Sequence, residues 1–331
     1  MNEVRFNHKN RGKWEEFEIL LKDGYSADPD KVSDLFIHLT DDLAYSRTFF
    51  PESNTTLYLN QLTRKAYQII YQSQPIRRNR ILRFWGDEFP LLIYSARKEI
   101  TVSFIIVLVS ALTGLVSNRY DPDFVRVILG DSYVNMTLAN IDKGDPMAVY
   151  KSMNQVNMFL GISYNNISVA FFAFICGVFT AFGTGWILFR NGIMLGTFMG
   201  FLSEKGLLLT SLTTIWIHGT LEIFAIIVAG GAGIVMGNSM VFPGTYTRLR
   251  SFRDGAMKGT KMAVGLVPVF IVAAFLEGFV TRHTGMPYPV KSLIIILSLV
   301  FIVCYFYIYP FLLTKKNLNN GKRNSQFQAG T

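Results

Sequence analysis

From Ile100 onward the chain is a series of long apolar runs with short polar breaks, whereas its first 98 residues alternate polar and apolar positions at helical spacing. A helix needs about 20 largely apolar residues to cross the hydrocarbon core of a bilayer. Six segments meet that requirement: 100–116, 167–189, 193–212, 214–242, 262–280 and 293–313. The third is the weakest because Glu204 and Lys205 fall inside it. It reads either as a span or as a re-entrant pair of half-helices shielded by protein. The predicted fold class is all-α, a polytopic helical membrane protein of about six hydrophobic segments behind a helical N-terminal region. The predicted domains are 1–98, a transmembrane domain over 99–313 with a long loop at 117–166, and a tail over 314–331.

Within the N-terminal region, DPDKVSDLFIHLTDDLAYSRTFF sets Val32, Leu35, Phe36, Leu39 and Leu43 on one helical face. Asp28 ahead of Pro29 suits an N-cap followed by a first-turn proline. PESNTTLYLNQLTRKAYQIIY repeats the pattern with Leu59, Leu62, Ala66 and Ile69. RRNRILRFWGDEFPLLIY then combines Arg77, Arg78, Arg80 and Arg83 with Phe84, Trp85 and Phe89. That mixture predicts either a helix lying among the headgroups or a plain solvated helix leading into the first span.

Composition agrees with a membrane protein: 50% of the residues are hydrophobic and only 17% are charged. The net charge of +9 raises the question of nucleic acid, which its distribution answers. Fifteen of the 32 Lys and Arg precede the first span, five more lie in TYTRLRSFRDGAMKGTK, and Lys315, Lys316, Lys322 and Arg323 lie in the tail. The 117–166 loop balances its four basic residues with five aspartates. By the positive-inside rule both termini are cytoplasmic, that loop is outside, and no nucleic-acid partner is expected. MNEVRFNHKNRGKWEEFE has no apolar core and is not read as a secretory leader. Cys176 and Cys304 lie in apolar runs and read as packing residues, so neither a disulfide nor a metal is expected from them.

Membrane helices associate through small residues that let backbones approach. Three sets occur at four-residue spacing: Ala173, Gly177, Ala181 and Gly185; Gly192, Gly196 and Gly200; and Ala229, Gly233 and Gly237. They predict a tightly packed helical core, and packing alone accounts for them.

NNISVAFFAFICGVFTAFGTG (165–185), NGIMLG (191–196), HGTLE (218–222) and AGGAGIVMG (229–237) resemble the stage II sporulation protein M family. Asn165, Asn166, Asn191, Gly192, His218, Gly219 and Glu222 carry the likeness, and DDLAYSRTFFPESNTTLYLNQLTRKAYQIIY is similar to members with an N-terminal extension. A proline commonly precedes the HG of the family; here Ile217 stands in its place. The resemblance implies an integral protein of the prokaryotic cytoplasmic membrane without enzymatic activity. In spore formers it implies an anchor for a complex that degrades cell wall. The expected partners are the bilayer and other membrane or envelope proteins, with cell-wall hydrolases among them by the resemblance and a homo-oligomer left open.

His218 and Glu222 lie one turn apart in a stretch that has no Lys, Arg or Asp between Lys205 and Arg248. On a helical wheel they share an arc with Ala225, Ala229 and Gly233, which turns them toward protein. Glu277 of the next span falls at a similar depth, so the three are expected in one intramembrane pocket, with Glu204 and Lys205 capping it. An ionisable group there costs about 3 kcal/mol or more unless paired or neutralised. Three uses remain open: interhelical hydrogen bonding, a proton or cation path, and a surface that a membrane partner recognises. His and Glu four residues apart make only two metal ligands, and no HExxH motif is present. No phosphate-cradling loop or nucleophile elbow occurs, and His38 and His283 read as surface residues, so neither catalytic residues nor a cofactor are predicted.

Overall fold

A computed structural model of the protein describes residues 2–23, 29–71, 80–151 and 154–316. Among them there is no strand. The chain divides into two units, Met1–Arg80 and Ile81–Thr331.

The first unit holds α1 (Glu3–Asp23), α2 (Pro29–Phe49) and α3 (Asn54–Tyr71). Phe6, Trp14, Phe17, Leu39, Leu43, Leu59, Leu62 and Ala66 form its core, with Leu35 and Phe36 packed against it. Polar ties hold the helices in register. Trp14 Nε1 donates to Asp42 Oδ2 at 2.9 Å, and Asn7, Thr55 and Glu3 form a chain at 2.8 and 2.7 Å. Of the predicted faces, Leu35, Phe36, Leu39 and Leu43 of α2 and Leu59, Leu62 and Ala66 of α3 pack here, while the side chains of Val32 and Ile69 lie outside the described ones. Asp28 lies outside the described residues, as do Arg77, Arg78, Lys322 and Arg323.

In the second unit, α4 (Arg80–Arg83), a π-helical turn at Phe84–Glu88 and α5 (Phe89–Ser95) precede the long helices. The edge between the compact units therefore falls at residue 80, inside the expected 1–98 region. This segment does not lie free at a headgroup surface. Trp85 Nε1 donates to the Gly265 carbonyl at 3.1 Å, Tyr305 and Tyr309 donate to the carbonyls of Trp85 and Gly86, and Phe89 is fully buried. The absence of a side chain at Gly265 makes room for the Phe89 ring. Aromatic packing outweighs the arginines, which remain exposed at Arg80 and Arg83.

The bundle consists of α6 (Arg97–Tyr120), α9 (Gln155–Ile175), α10 (Thr180–Glu204), α11 (Leu208–Val241), α12 (Arg248–Phe275) and α13 (Tyr288–Ile302). Among the described residues, five stretches are long and apolar enough to cross a membrane, and one of them, Gln155–Glu204, runs through both α9 and α10. That stretch is not straight. Thr184 Oγ1 donates to the Ala173 carbonyl at 2.9 Å, and Thr180 adopts a φ of +65° in the left-handed region. Eleven residues of straight helix would separate those groups by about 16 Å. The chain therefore turns back at 176–180, and α9 and α10 form a hairpin.

The expected segments 167–189 and 193–212 thus do not correspond to single helices. The break falls at 176–180, and Arg190 and Asn191 sit inside α10, which runs unbroken to Glu204. Neither a charged residue nor a proline marks the real turn. Gly177 lies on the backbone of Gly233, and a Cβ at Gly183 would overlap the Cys176 carbonyl.

Helix α11 is central: 78% of its apolar window is buried, against 17–44% for the other stretches. Around it the glycines are spent on backbone contact. Gly233 and Gly237 meet the α9–α10 hairpin, Gly230 meets Leu188 and Ser103, and Gly259 of α12 meets the Ala232 carbonyl. The second predicted ridge, Gly192–Gly196–Gly200, lies along α6 against Ser110, Ala111 and Asn118. The first ridge is not one surface. Ala173 and Gly177 precede the turn, Ala181 follows it, and Gly185 has only Ile106 Cδ1 near it, at 3.8 Å.

The expected 117–166 loop is shorter than predicted and largely helical. It holds α7 (Phe124–Leu129), α8 (Asp131–Asp142) and a 3-10 turn at Ala148–Lys151, and α9 starts at Gln155 with Asn154 accepting from Val156 N as its cap. Val125, Val134, Met147 and Tyr150 pack with Met158, Phe201, Leu202 and Ile215, which closes this end of the bundle.

Candidate functional site

Beneath that closure lies a cavity of about 700 Å³, lined by residues of α6–α11 and by Glu277. Its polar wall comes from Tyr133, Tyr150, Asn157, Asn165, Asn166, Asn191, His218, Glu222 and Glu277. His218, Glu222 and Glu277 meet here, with one ligand atom of each within 4.8 Å of the other two.

Two helices set this geometry. His218 and Glu222 stand one turn apart on α11 and therefore project the same way. Glu277 and Thr281 stand one turn apart in the π-helical turn Leu276–Thr281 that ends α12. Such turns recur at functional sites. Phe159 of α9 packs on Gly278 and holds that turn in place.

The imidazole is buried and oriented. Thr281 Oγ1 donates to the Leu276 carbonyl at 3.1 Å and lies 3.0 Å from His218 Nδ1. A hydroxyl has one proton, so when that proton goes to the carbonyl the hydroxyl accepts from the ring and Nδ1 carries the hydrogen. The lone pair is then on Nε2, which faces Glu277 Oε2 at 3.7 Å. That is too long for a hydrogen bond. Tyr150 stacks edge-on to the ring, with centroids 5.8 Å apart. Burial pushes the Tyr150 phenol well above its ordinary pKa, so it faces the site as a neutral hydroxyl.

Glu204 and Lys205 do not join the pocket. Both are exposed, and Glu204 Oε1 accepts from Asn118 Nδ2 at 3.0 Å. The cap comes from the 124–151 segment, which hydropathy reads only as a loop. Thr281 and Tyr150 were also missed, since neither residue type signals a site on its own. Lys291, buried and bonded to Thr214 Oγ1 at 3.2 Å and the Thr284 carbonyl at 3.1 Å, ties α13 to the start of α11.

A second cavity of about 740 Å³ opens on the side of the bundle between α9 and α10. Ile128, Asn191 and Met194 line both cavities. Arg190 lines the second, is exposed, and makes no ion pair or hydrogen bond among the described residues. It stands ten residues from the start of α10, about 15 Å along a helix whose surroundings are apolar.

The residues that gather at the first cavity are also those of the resemblance. Asn165, Asn166, Asn191, His218, Gly219 and Glu222 all line it, and Gly192 alone of that set faces elsewhere, onto α6. The family model for stage II sporulation protein M matches residues 103–282. The chain belongs to the stage II sporulation protein M family. In this stage II sporulation protein M relative, the matched region covers the bundle from α6 to the turn that carries Glu277. A second model, for a domain of unknown function, matches residues 4–72, the three helices of the first unit. No curated protein and no solved structure matches the chain. With its long apolar helices, membership of this family makes it a membrane protein.

Proposed function

We propose that this protein is a non-enzymatic scaffold of the prokaryotic cytoplasmic membrane that holds envelope proteins beside it. The observation that carries the reading is Arg190. A guanidinium about halfway along an exposed helix face costs about 3 kcal/mol or more in hydrocarbon unless it meets a counter-charge. A membrane partner docked against α9 and α10 supplies that charge. By the family resemblance the partners are envelope proteins, including cell-wall hydrolases. The basic segments that flank the bundle favour both termini on the cytoplasmic side and the α7–α8 cap outside.

The rival reading is a proton, ion or small-solute permease working through His218, Glu222 and Glu277. It needs a wet path from that pocket to the other end of the bundle. Below Ile226, α11 is packed dry: Ala229, Gly230, Gly231, Ala232 and Gly233 are all buried against neighbouring backbone or side chains. This packing favours the scaffold.

The test uses a photocrosslinking residue at Phe189, beside Arg190, in native membranes. A discrete adduct that disappears with Arg190→Leu, while the variant keeps its yield and thermal stability, is the expected result. Liposomes holding the purified protein are expected to show no pH-driven or cation-driven flux. Absence of any adduct, or wild-type flux that vanishes in Glu222→Gln, overturns the scaffold.

A further inference from the structure

The His218–Glu222–Glu277 cluster has the features of a ligand set as well as of interhelical glue. Its donors are one imidazole nitrogen and two carboxylates, all within 4.8 Å of one another. The imidazole is nine-tenths buried, with a side-chain exposure of 6%, and its Nε2 makes no hydrogen bond among the described residues. In the tautomer with the hydrogen on Nδ1, facing Thr281, the Nε2 lone pair points into the cluster. Metal-ligating histidines are fixed in this way, with the second ring nitrogen donating to a nearby oxygen.

A second signal comes from Asn166. Its side chain reaches Glu222, but Nδ2 makes only a loose contact there, outside good hydrogen-bond geometry. A small rotation that brings it onto a carboxylate held in place by an ion would satisfy it.

We propose that His218 Nε2 and one oxygen each from Glu222 and Glu277 bind a divalent first-row transition-metal ion of the Zn²⁺ class. Bond lengths of 2.0–2.2 Å place tetrahedral ligand atoms about 3.4 Å apart. The His218–Glu277 separation of 3.7 Å is already close to that, and side-chain rotation brings in Glu222. Two ionised carboxylates and a neutral imidazole carry a charge that a divalent cation balances, which removes the penalty of paired anions in an apolar surround. One nitrogen and two oxygens suit Zn²⁺ or Mn²⁺ better than the all-oxygen shells of Mg²⁺ or Ca²⁺. Tyr133, Tyr150 and Asn157 line the same cavity, from which a water or an oxygen ligand would complete the shell. The ion would bind α11 to the end of α12. This inference rests on the cluster's geometry and stands or falls independently of the scaffold reading.

The test is metal binding by the full-length protein in detergent, with any affinity tag removed and bound metal stripped by chelator. Dialysis against Zn²⁺, followed by elemental analysis, is expected to give one ion per chain. Co²⁺ in its place is expected to give the intense visible absorption of a four-coordinate ion. Glu277→Gln and His218→Gln are expected to abolish retention. Thr281→Val, which leaves the ligands and frees the ring, is expected to weaken it about 10–100-fold. Added Zn²⁺ is expected to raise the melting temperature of the wild type and leave that of Glu277→Gln unchanged. Wild type that retains neither Zn²⁺, Mn²⁺ nor Co²⁺ overturns the proposal even if every variant misfolds. So does Glu277→Gln that is monodisperse and binds as much Zn²⁺ as wild type.

Discussion

Gly196 of α10 and Ala111 of α6 meet backbone to backbone, so that a Cβ built at residue 196 would overlap the Ala111 carbonyl oxygen. Eleven residues earlier on the same helix, Gly185 has only Ile106 Cδ1 near it, at 3.8 Å. Both glycines stand in small-residue ridges in the sequence, and only one of them is a contact. Alanine is favoured over glycine in a helix by about 1 kcal/mol. Gly185→Ala is therefore expected to leave thermal stability in detergent unchanged or slightly higher. Gly196→Ala must push two helices apart, at about 1–3 kcal/mol for overpacking, and is expected to lower both melting temperature and yield. Equal behaviour of the two variants would remove the α6–α10 contact from the account.

The short segment before α6 gives a second prediction. If it docks through aromatic rings, Phe89→Ala leaves a cavity against Gly265 and costs about 3–5 kcal/mol. Arg80→Gln with Arg83→Gln should cost nothing, because both arginines are exposed. Melting of the three proteins in detergent decides between docking and a headgroup-lying helix. Loss of stability in the arginine variant with Phe89→Ala unaffected would restore the headgroup reading.

These cases show what was legible in the sequence. Apolar runs disclose helices, and the pairing of His218 with Glu222 at helical spacing disclosed the pocket, because burying charge in an apolar run has so few explanations. The Cys176–Thr180 turn was hidden, since its residues are as apolar as the helices on either side and it is made by glycine-backbone contacts across the bundle. Arg190 was hidden for the opposite reason. A polar residue between two apolar runs reads as a loop, although here the helix continues through it. Tyr150 and Thr281 carry no signal until tertiary structure places them around the imidazole.

In the N-terminal unit, Leu57 and Leu59 lie on opposite faces of α3: Leu57 is 60% exposed and Leu59 fully buried. Residues 2–80 expressed alone are expected to be soluble, helical by circular dichroism and cooperative in urea. Leu59→Ala removes a core side chain at about 2–5 kcal/mol, a large share of the stability of so small a unit. Leu57→Ala should shift the urea midpoint little. A fragment with no cooperative transition would mean that this unit depends on the rest of the chain.

Orientation is tested by cysteines at Lys143 and Leu249, both exposed, in a background with Cys176 and Cys304 replaced by serine. Lys143 belongs to the segment predicted outside and Leu249 to the basic first turn of α12, predicted inside. An impermeant maleimide is expected to label Lys143→Cys in intact cells and Leu249→Cys only after lysis. Labelling of both positions in intact cells, or the reverse order, would invert or break the topology on which the scaffold model depends.

The same cysteine-free background tests whether the pocket is closed below. Asn165 lines the cavity, whereas Ala229 is fully buried on α11, 11 residues beyond His218 and so about 16 Å further along the helix. Alanine to cysteine adds one sulfur atom, so Ala229→Cys is the mildest probe that fits. Gel filtration confirms that each variant is folded before it is compared. A small charged methanethiosulfonate reagent is expected to modify Asn165→Cys from the side that carries α7 and α8. Ala229→Cys is expected to resist it from either side of the membrane and to react only after unfolding in denaturant. Dry packing has that consequence because the reagent attacks a thiolate, which forms only where water reaches the sulfur. Modification of Ala229→Cys in the folded protein from either side would reveal a wet path past the glycines of α11, and the permease reading would then replace the scaffold.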